Sequence, residues 1–76
     1  MVKIYSTPTC VYCKLAKEFF KKNNIQYTEK NVAEDEASRA EMMEKSGQMG
    51  VPVIMVDNSV VVGFNAEKLS QMLGIA

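Results

Sequence analysis

Two cysteines carry the most reactive chemistry in this sequence of 76 residues. Cys10 and Cys13 are separated by two residues, and the chain contains no histidine. Two thiols at this spacing can form and break a disulfide with each other, which is the chemistry of thiol–disulfide exchange. A zinc site needs about four ligands, so two thiols without histidine do not make one in a single chain. The sequence therefore predicts redox chemistry and no metal site.

The cysteine pair lies where a strand gives way to a helix. Residues 2–5 are β-branched and aromatic, and the turn-forming residues 6–9 end this strand. From Cys10 the apolar residues recur every three or four positions, which predicts an amphipathic helix that residues 23–24 close. Thr9 is predicted to cap the start of this helix. The predicted apolar stripe consists of Tyr12, Leu15, Ala16, Phe19 and Phe20.

The start of the helix makes the two thiols unequal. Backbone N–H groups and partial positive charge at a helix N-terminus stabilise a thiolate, so Cys10 is the expected nucleophile. Cys13 follows about one turn later and is expected to be more deeply buried. Cys10 would attack a substrate disulfide, and Cys13 would then attack Cys10 to release the product. Two inert buried cysteines, half of a metal site shared by two chains, and a structural disulfide are the less favoured alternatives.

The middle of the chain is predicted to form a second strand and a second helix. Residues 25–28 alternate in polarity, and this strand extends toward Val32. Residues 34–36 are acidic and suit the first turn of a helix, while Gly47 suits the left-handed position after its end. The predicted buried face of this helix consists of Ala37, Ala40, Met42 and Met43.

The last third of the chain is predicted to form a hairpin and a final helix. Residues 51–56 are apolar almost throughout, which indicates a central strand covered on both faces. A short turn joins them to residues 60–62, so these two strands pair antiparallel. Asn65 is placed to cap the last helix. The apolar side of that helix consists of Leu69, Met72 and Leu73.

The element order is therefore βαβαββα, which predicts an α/β protein with a four-stranded mixed sheet flanked by three helices. The length predicts a single domain over residues 1–76. Nine basic and nine acidic residues cancel, which does not suit nucleic-acid binding. No apolar run approaches the roughly 18–20 residues of a membrane span. We therefore expect a monomeric cytoplasmic protein without a membrane or nucleic-acid partner.

Three segments of the sequence form a recognisable pattern. They are Tyr5-Ser6-Thr7-Pro8-Thr9-Cys10-Val11-Tyr12-Cys13, Gly50-Val51-Pro52-Val53 and Val62-Gly63-Phe64-Asn65. In this order and spacing they resemble the glutaredoxin family, and the likeness to small bacterial glutaredoxin-like proteins covers essentially the whole chain. The resemblance implies the thioredoxin fold with sheet order 2-1-3-4. It places the first and last helices on one face of the sheet and the second helix on the other.

The same resemblance implies where substrates bind. It implies that Pro52 is cis and lies opposite Cys10, so that the backbone of Val51 can pair with an extended peptide. It implies glutathione as a co-substrate, with no tightly bound cofactor. Met49 precedes this corner and is a weaker candidate for lining the site. The implied substrate and glutathione contacts are Thr9, Val11, Tyr12, Gln48, Val51, Pro52, Gly63, Phe64 and Asn65.

The chain departs from the family pattern where glutathione would bind. Thr7 stands where a lysine is common, Val11 where a proline is usual, and Gly50 where a threonine is usual. Gln48 is the remaining polar candidate for the glycine carboxylate of glutathione. Asn65 could bind the other carboxylate, but the family's aspartates, which would bind the ammonium group, are missing. The glutathione site is thus expected in outline and reduced in detail.

The expected function is dithiol glutaredoxin-type reduction of protein disulfides or of glutathione mixed disulfides. Gly63 and Phe64 also resemble thioredoxin-like electron donors that a flavin-dependent thioredoxin reductase reduces, which is the first alternative. The second is an iron–sulfur carrier in which two chains and two glutathiones hold a cluster through Cys10. Phe64 is read either as an exposed aromatic for a protein partner or as part of the core. Lys14 and Lys17 are expected on the solvated face, paired with Glu18.

Overall fold

The computed structural model describes residues 2–48 and 50–74, so Met49 lies outside the described residues. The predicted order of strands and helices is confirmed. The elements are β1 (Val2–Ser6), α1 (Val11–Lys22), β2 (Thr28–Asn31), α2 (Glu36–Ser46), β3 (Val53–Val56), β4 (Ser59–Val62) and α3 (Ala66–Leu73).

The four strands form one mixed sheet in the order β2-β1-β3-β4, as the family resemblance implied. Strand β1 pairs parallel with β2 and antiparallel with β3, and β3 pairs antiparallel with β4. Tyr5 lies opposite Val53, and Val53 lies opposite Val62. The end of β1 therefore meets the start of β3 and the end of β4 at one edge of the sheet. The segment that leads to Cys10 leaves from this edge.

The core lies on both faces of the sheet, and this confirms the predicted placement of the helices. On one face, α1 and α3 cover the sheet; on the other, α2 covers it. The buried residues of the first face are Val2, Ile4, Ala16, Phe20, Ile54, Val56, Val61 and Leu69. The buried residues of the second face are Tyr5, Val32, Met42 and Val53. Strand β3 contributes to both faces, as its continuous apolar run predicts.

The predicted capping residue and the predicted buried stripe of α1 both need correction. The residue that caps the helix is Cys10, not Thr9, and Thr9 is exposed in the preceding turn. The buried stripe consists of Cys13, Ala16 and Phe20, whereas Tyr12 is 62% exposed. The buried face of α1 is therefore the one that contains Cys13, and it is displaced from the predicted stripe. Leu15 is likewise largely exposed.

The second strand and the second helix also differ from the prediction. Strand β2 begins at Thr28 rather than at residue 25, and the preceding Ile25 and Tyr27 pack against the core as part of a loop. Asp35 caps α2, and Gly47 takes the predicted left-handed position with φ of +73°. In α2 the buried residues are Ser38 and Met42, while Ala37, Ala40 and Met43 are exposed.

A polar cluster explains why α2 turns this face inward. Tyr5 is fully buried, and its hydroxyl donates to the Glu41 carboxylate. Lys3 Nζ also binds Glu41, with 3.2 Å between Nζ and Oε1. These bonds fix the rotation of α2, and they lower the pKa of the Glu41 carboxyl. In residues 2–48 and 50–74, no helix is long and apolar enough to cross a membrane.

Candidate active site

Cys10 lies at the junction between the turn after β1 and the start of α1. Its backbone is extended, with φ of −90° and ψ of 114°, and its side chain caps the helix. The Sγ atom accepts a hydrogen bond from the backbone N–H of Cys13, with 3.1 Å between the two atoms. A sulfur therefore takes the place that a serine or aspartate oxygen usually has at a helix start. Cys10 is partly exposed, so a substrate sulfur can reach it.

Cys13 has the opposite environment. Its side chain is 1% exposed, and both cysteines are free thiols. Burial, and then the hydrogen bond with Cys10, raise the pKa of the Cys13 thiol to about 12. A backbone hydrogen bond from Thr7 and the charge of Lys17 act in the opposite direction. Cys13 thus keeps its proton at neutral pH, while Cys10 is the accessible sulfur at the helix start.

Two loops meet beside the cysteines at the shared edge of the sheet. The peptide bond between Val51 and Pro52 is cis, as the family resemblance implied. Pro52 is buried and Val51 is half-buried. The carbonyl of Pro52 accepts a hydrogen bond from the backbone N–H of Gly63, with 2.8 Å between nitrogen and oxygen. Gly63 has φ of +84°, a conformation that favours glycine. This bond joins the loop before β3 to the loop after β4.

The side chain of Gln48 is bound to the protein's own backbone. Its Nε2 donates to the carbonyl of Gly50 at 3.0 Å, and its Oε1 accepts from the N–H of Gly50 at 2.7 Å. A Cβ atom at position 50 would lie 2.7 Å from that Oε1, so a larger residue there would displace the Gln48 amide. Gln48 therefore holds the loop that leads to Val51, whereas the sequence suggested a contact with a glutathione carboxylate.

Asn65 and Phe64 also make contacts within the chain. Asn65 caps α3, and its Oδ1 accepts from the N–H of Lys68 at 3.1 Å. Phe64 is half-buried and packs edge-on against Phe19, with 5.8 Å between the ring centroids. It thus takes part in the core beside α1. Of the two readings of Phe64, packing against the core is the one that this contact supports.

The apolar side chains that remain exposed include two between the cysteines. Val11 is 70% exposed and Tyr12 is 62% exposed. Val62, which ends β4 beside Gly63, is 57% exposed. An open groove of about 360 Å³ lies farther along α3 and is lined by Asn65, Glu67, Lys68 and Gln71. Val11 and Tyr12 therefore give the surface next to Cys10 an exposed apolar part.

One group of residues near the site does not follow from the sequence pattern. Lys17 is paired with Glu29 on β2, with 2.9 Å between Nζ and Oε2, and the expected pairing with Glu18 is wrong. The hydroxyl of Ser6 donates to the same Glu29 oxygen at 2.9 Å. These bonds lower the pKa of the Glu29 carboxyl and raise that of Lys17. In the described part of the chain, no group of three or more metal-binding side chains is present.

The sequence and the fold both have relatives of known family. The glutaredoxin family model matches residues 2–61. A glutaredoxin-like 8.6 kDa protein in the rubredoxin operon of Clostridium pasteurianum is 48% identical over 73 residues, which are 96% of this chain and 97% of that protein. The glutaredoxin-like protein NrdH of Lactococcus lactis subsp. cremoris is 32% identical over 75 residues, 95% of this chain and 99% of that protein.

A solved structure agrees with this assignment. The crystal structure of the thioredoxin-like protein BC3987 superposes with a TM-score of 0.89 and 36% identity, covering 95% of this chain and 99% of that one. The matched family region contains both cysteines and strands β1 to β3. These likenesses span the fold, the sequence and the cysteine pair. The chain therefore belongs to the glutaredoxin family of thioredoxin-fold thiol–disulfide oxidoreductases.

Proposed function

We propose that this protein reduces disulfides in other proteins through Cys10 and Cys13, and that a flavin-dependent thioredoxin reductase supplies its electrons. The observation that carries the mechanism is the contrast between the two thiols. Cys10 is accessible and caps a helix, whereas Cys13 is buried and keeps its proton. Only the first is placed to attack a substrate, and only the second is placed to attack the first.

The proposed reaction conserves electrons in two exchanges. The Cys10 thiolate attacks one sulfur of the substrate disulfide, the substrate S–S bond breaks, and one substrate thiolate leaves. Cys13 then loses its proton and attacks Cys10 Sγ, and the second substrate thiolate leaves. The substrate gains two electrons and the protein is left with a Cys10–Cys13 disulfide. The flavin-dependent reductase returns two electrons and restores both thiols.

The backbone of Val51 supports an extended peptide as the substrate. Val51 is half-buried in the loop before β3, next to the buried Pro52. Its N–H and C=O groups could pair with a bound strand, while Val11 and Tyr12 would contact the apolar side chains of that strand. We propose the cytoplasm as the site of this reaction, since thiols stay reduced there.

One pair of contacts favours a protein electron donor over glutathione. The amide of Gln48 is bound to the N–H and the carbonyl of Gly50. A glutathione carboxylate would have to break these bonds before it could use Gln48. The similarity to BC3987, a thioredoxin-like protein, supports the same choice.

Glutathione as the donor is the second candidate. The groove along α3 favours it, because this groove brings the acid Glu67 and the base Lys68 next to Asn65. A carboxylate and an ammonium group of one ligand could pair with opposite charges there. Glu67 thus places an acid near the proposed glutathione contacts, although the aspartates of the family pattern are missing.

A pair of coupled assays separates these donors. Reduction of a disulfide-containing protein is followed with thioredoxin reductase and NADPH, and separately with glutathione, glutathione reductase and NADPH. We expect turnover in the first system and at most slow turnover in the second. Cys10→Ser and Cys13→Ser should both be inactive with thioredoxin reductase. Efficient turnover of Cys13→Ser with glutathione would show that one thiol suffices, and it would overturn the proposed donor.

A further inference from the structure

The resolving step poses a problem that the cysteines alone do not solve. Cys13 must lose its proton before it attacks Cys10, yet it is 1% exposed and its thiol pKa is raised by burial. Its burial leaves the charge that forms on the sulfur poorly solvated by water. A positive group near Cys13 Sγ would therefore speed resolution, because the thiolate is the reactive form.

Lys17 provides a positive charge on the same face of α1. It follows Cys13 by four residues, which places the two side chains next to each other along the helix. The Lys17 side chain is partly exposed and is bound to the sheet. It is 27% exposed, and Nζ lies 2.9 Å from Glu29 Oε2. Ser6, which is 1% exposed in β1, binds the same oxygen at 2.9 Å. Glu29 on β2 thus fixes the position of the Lys17 ammonium.

We propose that Lys17 is a positioning residue for the resolving step, in which its ammonium, held by Glu29 and Ser6, stabilises the negative charge that forms on Cys13 Sγ. This inference rests on the proposed two-thiol reaction. The proton of Cys13 passes to water, and Cys13 Sγ forms a bond to Cys10 Sγ. The bond between Cys10 Sγ and the substrate sulfur breaks, and the substrate thiolate leaves with its electron pair and takes up a proton.

The charges around these side chains fit that role at neutral pH. Cys10 raises the pKa of the Cys13 thiol and Lys17 lowers it. Glu29 and Tyr27 raise the pKa of the Lys17 ammonium. The pKa of the Lys17 ammonium is raised and that of the Glu29 carboxyl is lowered, so both remain charged near pH 7. The pH dependence of resolution therefore reports the Cys13 thiol. In the mixed disulfide, Cys10 has no proton left to titrate.

A neutral disulfide probe separates attack from resolution. Reduced protein is mixed with excess 4,4′-dithiodipyridine in a stopped-flow instrument, and thiopyridone release is followed by absorbance. The first equivalent reports attack by Cys10, and the second reports resolution by Cys13. A probe without charge is needed so that Lys17 cannot change its attraction to the site. A single release in Cys13→Ser assigns the two phases.

Lys17→Met removes the ammonium and keeps the aliphatic part of the side chain. A neighbouring opposite charge typically changes a pKa by about one to three pH units. We expect the lower end of this range, because Glu29 partly neutralises the charge of Lys17. The thiolate fraction would fall about tenfold, while the remaining thiolate would become more nucleophilic, with a Brønsted coefficient of about 0.4–0.5. The second phase should be roughly threefold slower at pH 7, and its pH profile should move about one pH unit higher.

Two further variants serve as controls. Lys17→Arg keeps the charge and should retain most of the rate of the second phase. Lys14→Met makes the same charge change on an exposed part of the helix, and it should leave the second phase unchanged. An unchanged first phase in Lys17→Met shows that the helix start is folded.

Each outcome decides between the claims. A second phase of Lys17→Met with the wild-type rate and pH profile would overturn the role of Lys17, while the two-thiol reaction would stand. Equal slowing in Lys14→Met would also overturn it, because any lysine would then suffice. If the wild-type protein released a single equivalent, the two-thiol reaction and the role of Lys17 would both be wrong.

Discussion

The hydrogen bond between Gly63 and Pro52 offers a sharp test of how the loops are held beside Cys10. Gly63 has φ of +84°, and a Cβ atom there would meet no atom of a distant residue within 4 Å. The cost of Gly63→Ala is therefore conformational and not steric. A left-handed backbone costs a residue with a side chain about 1–2 kcal/mol. For a domain of this size, each kcal/mol lowers the melting temperature by about 4–8 °C.

Gly74→Ala is the matched control for this substitution. Gly74 has φ of +71° and equally open surroundings, but it ends α3 and its N–H binds the carbonyl of Gln71 within that helix. We expect urea unfolding of the reduced proteins to give similar losses of stability for the two variants. Only Gly63→Ala should also slow the reduction of a protein disulfide, because a change in its backbone turns the N–H away from the Pro52 carbonyl.

Gly63→Asn extends the test. Asparagine tolerates the left-handed conformation better than alanine, so it should recover part of the stability and of the activity. A stability loss in Gly63→Ala well below about 1 kcal/mol would refute the conformational argument. Wild-type activity in a destabilised Gly63→Ala would refute the claim that the bond to Pro52 holds the site.

Three other predictions concern the fold and the state of the protein. Tyr5→Phe should cost about 1 kcal/mol at pH 7 by removing a hydrogen bond to a partly exposed carboxylate. Because the folded pKa of Glu41 is lowered, that loss should shrink as the pH falls through this pKa and Glu41 takes up a proton, as urea unfolding at pH 7 and pH 3 would show. Asn65→Ala should cost about 1 kcal/mol through the lost cap of α3, measured in the same way. Anaerobic iron and sulfide reconstitution with glutathione, followed by gel filtration, should give a colourless monomer; a coloured dimer would favour the cluster carrier.

Periodicity was enough to predict the order of the strands and helices along the chain and a mixed sheet. The apolar run of β3 indicated a central strand, and the short connection to β4 indicated a hairpin. The sheet order, the helix faces and the cis Pro52 came from the resemblance to the glutaredoxin family, and the structure has all three. Local spacing and family likeness together therefore defined the frame of the site.

The errors arose where tertiary contacts decide. Cys10 replaces Thr9 as the cap because its sulfur can accept the N–H of Cys13, and cysteine is not among the usual capping residues. Lys17 pairs with Glu29 on β2. Glu29 is 12 residues away in the sequence, so the spacing of residues along a helix does not suggest this pair.

Similarly, the alanines of α2 follow the helical period, but the bond between Tyr5 and Glu41 turns a different face inward. Glu41 lies 36 residues from Tyr5 in the sequence, so no local pattern relates them. Both long-range contacts form only once the sheet has formed, and the one between Lys17 and Glu29 also supplies the charges near Cys13.

Covalent trapping tests the central claim most directly, namely that Cys10 attacks and Cys13 resolves. Cys13→Ser is incubated with a disulfide-containing protein, and the products are separated without reductant and mapped by mass spectrometry. We predict that Cys13→Ser forms a stable mixed disulfide through Cys10, and that Cys10→Ser forms no covalent complex. A complex linked through Cys13 in Cys10→Ser, or no complex with Cys13→Ser, would contradict it.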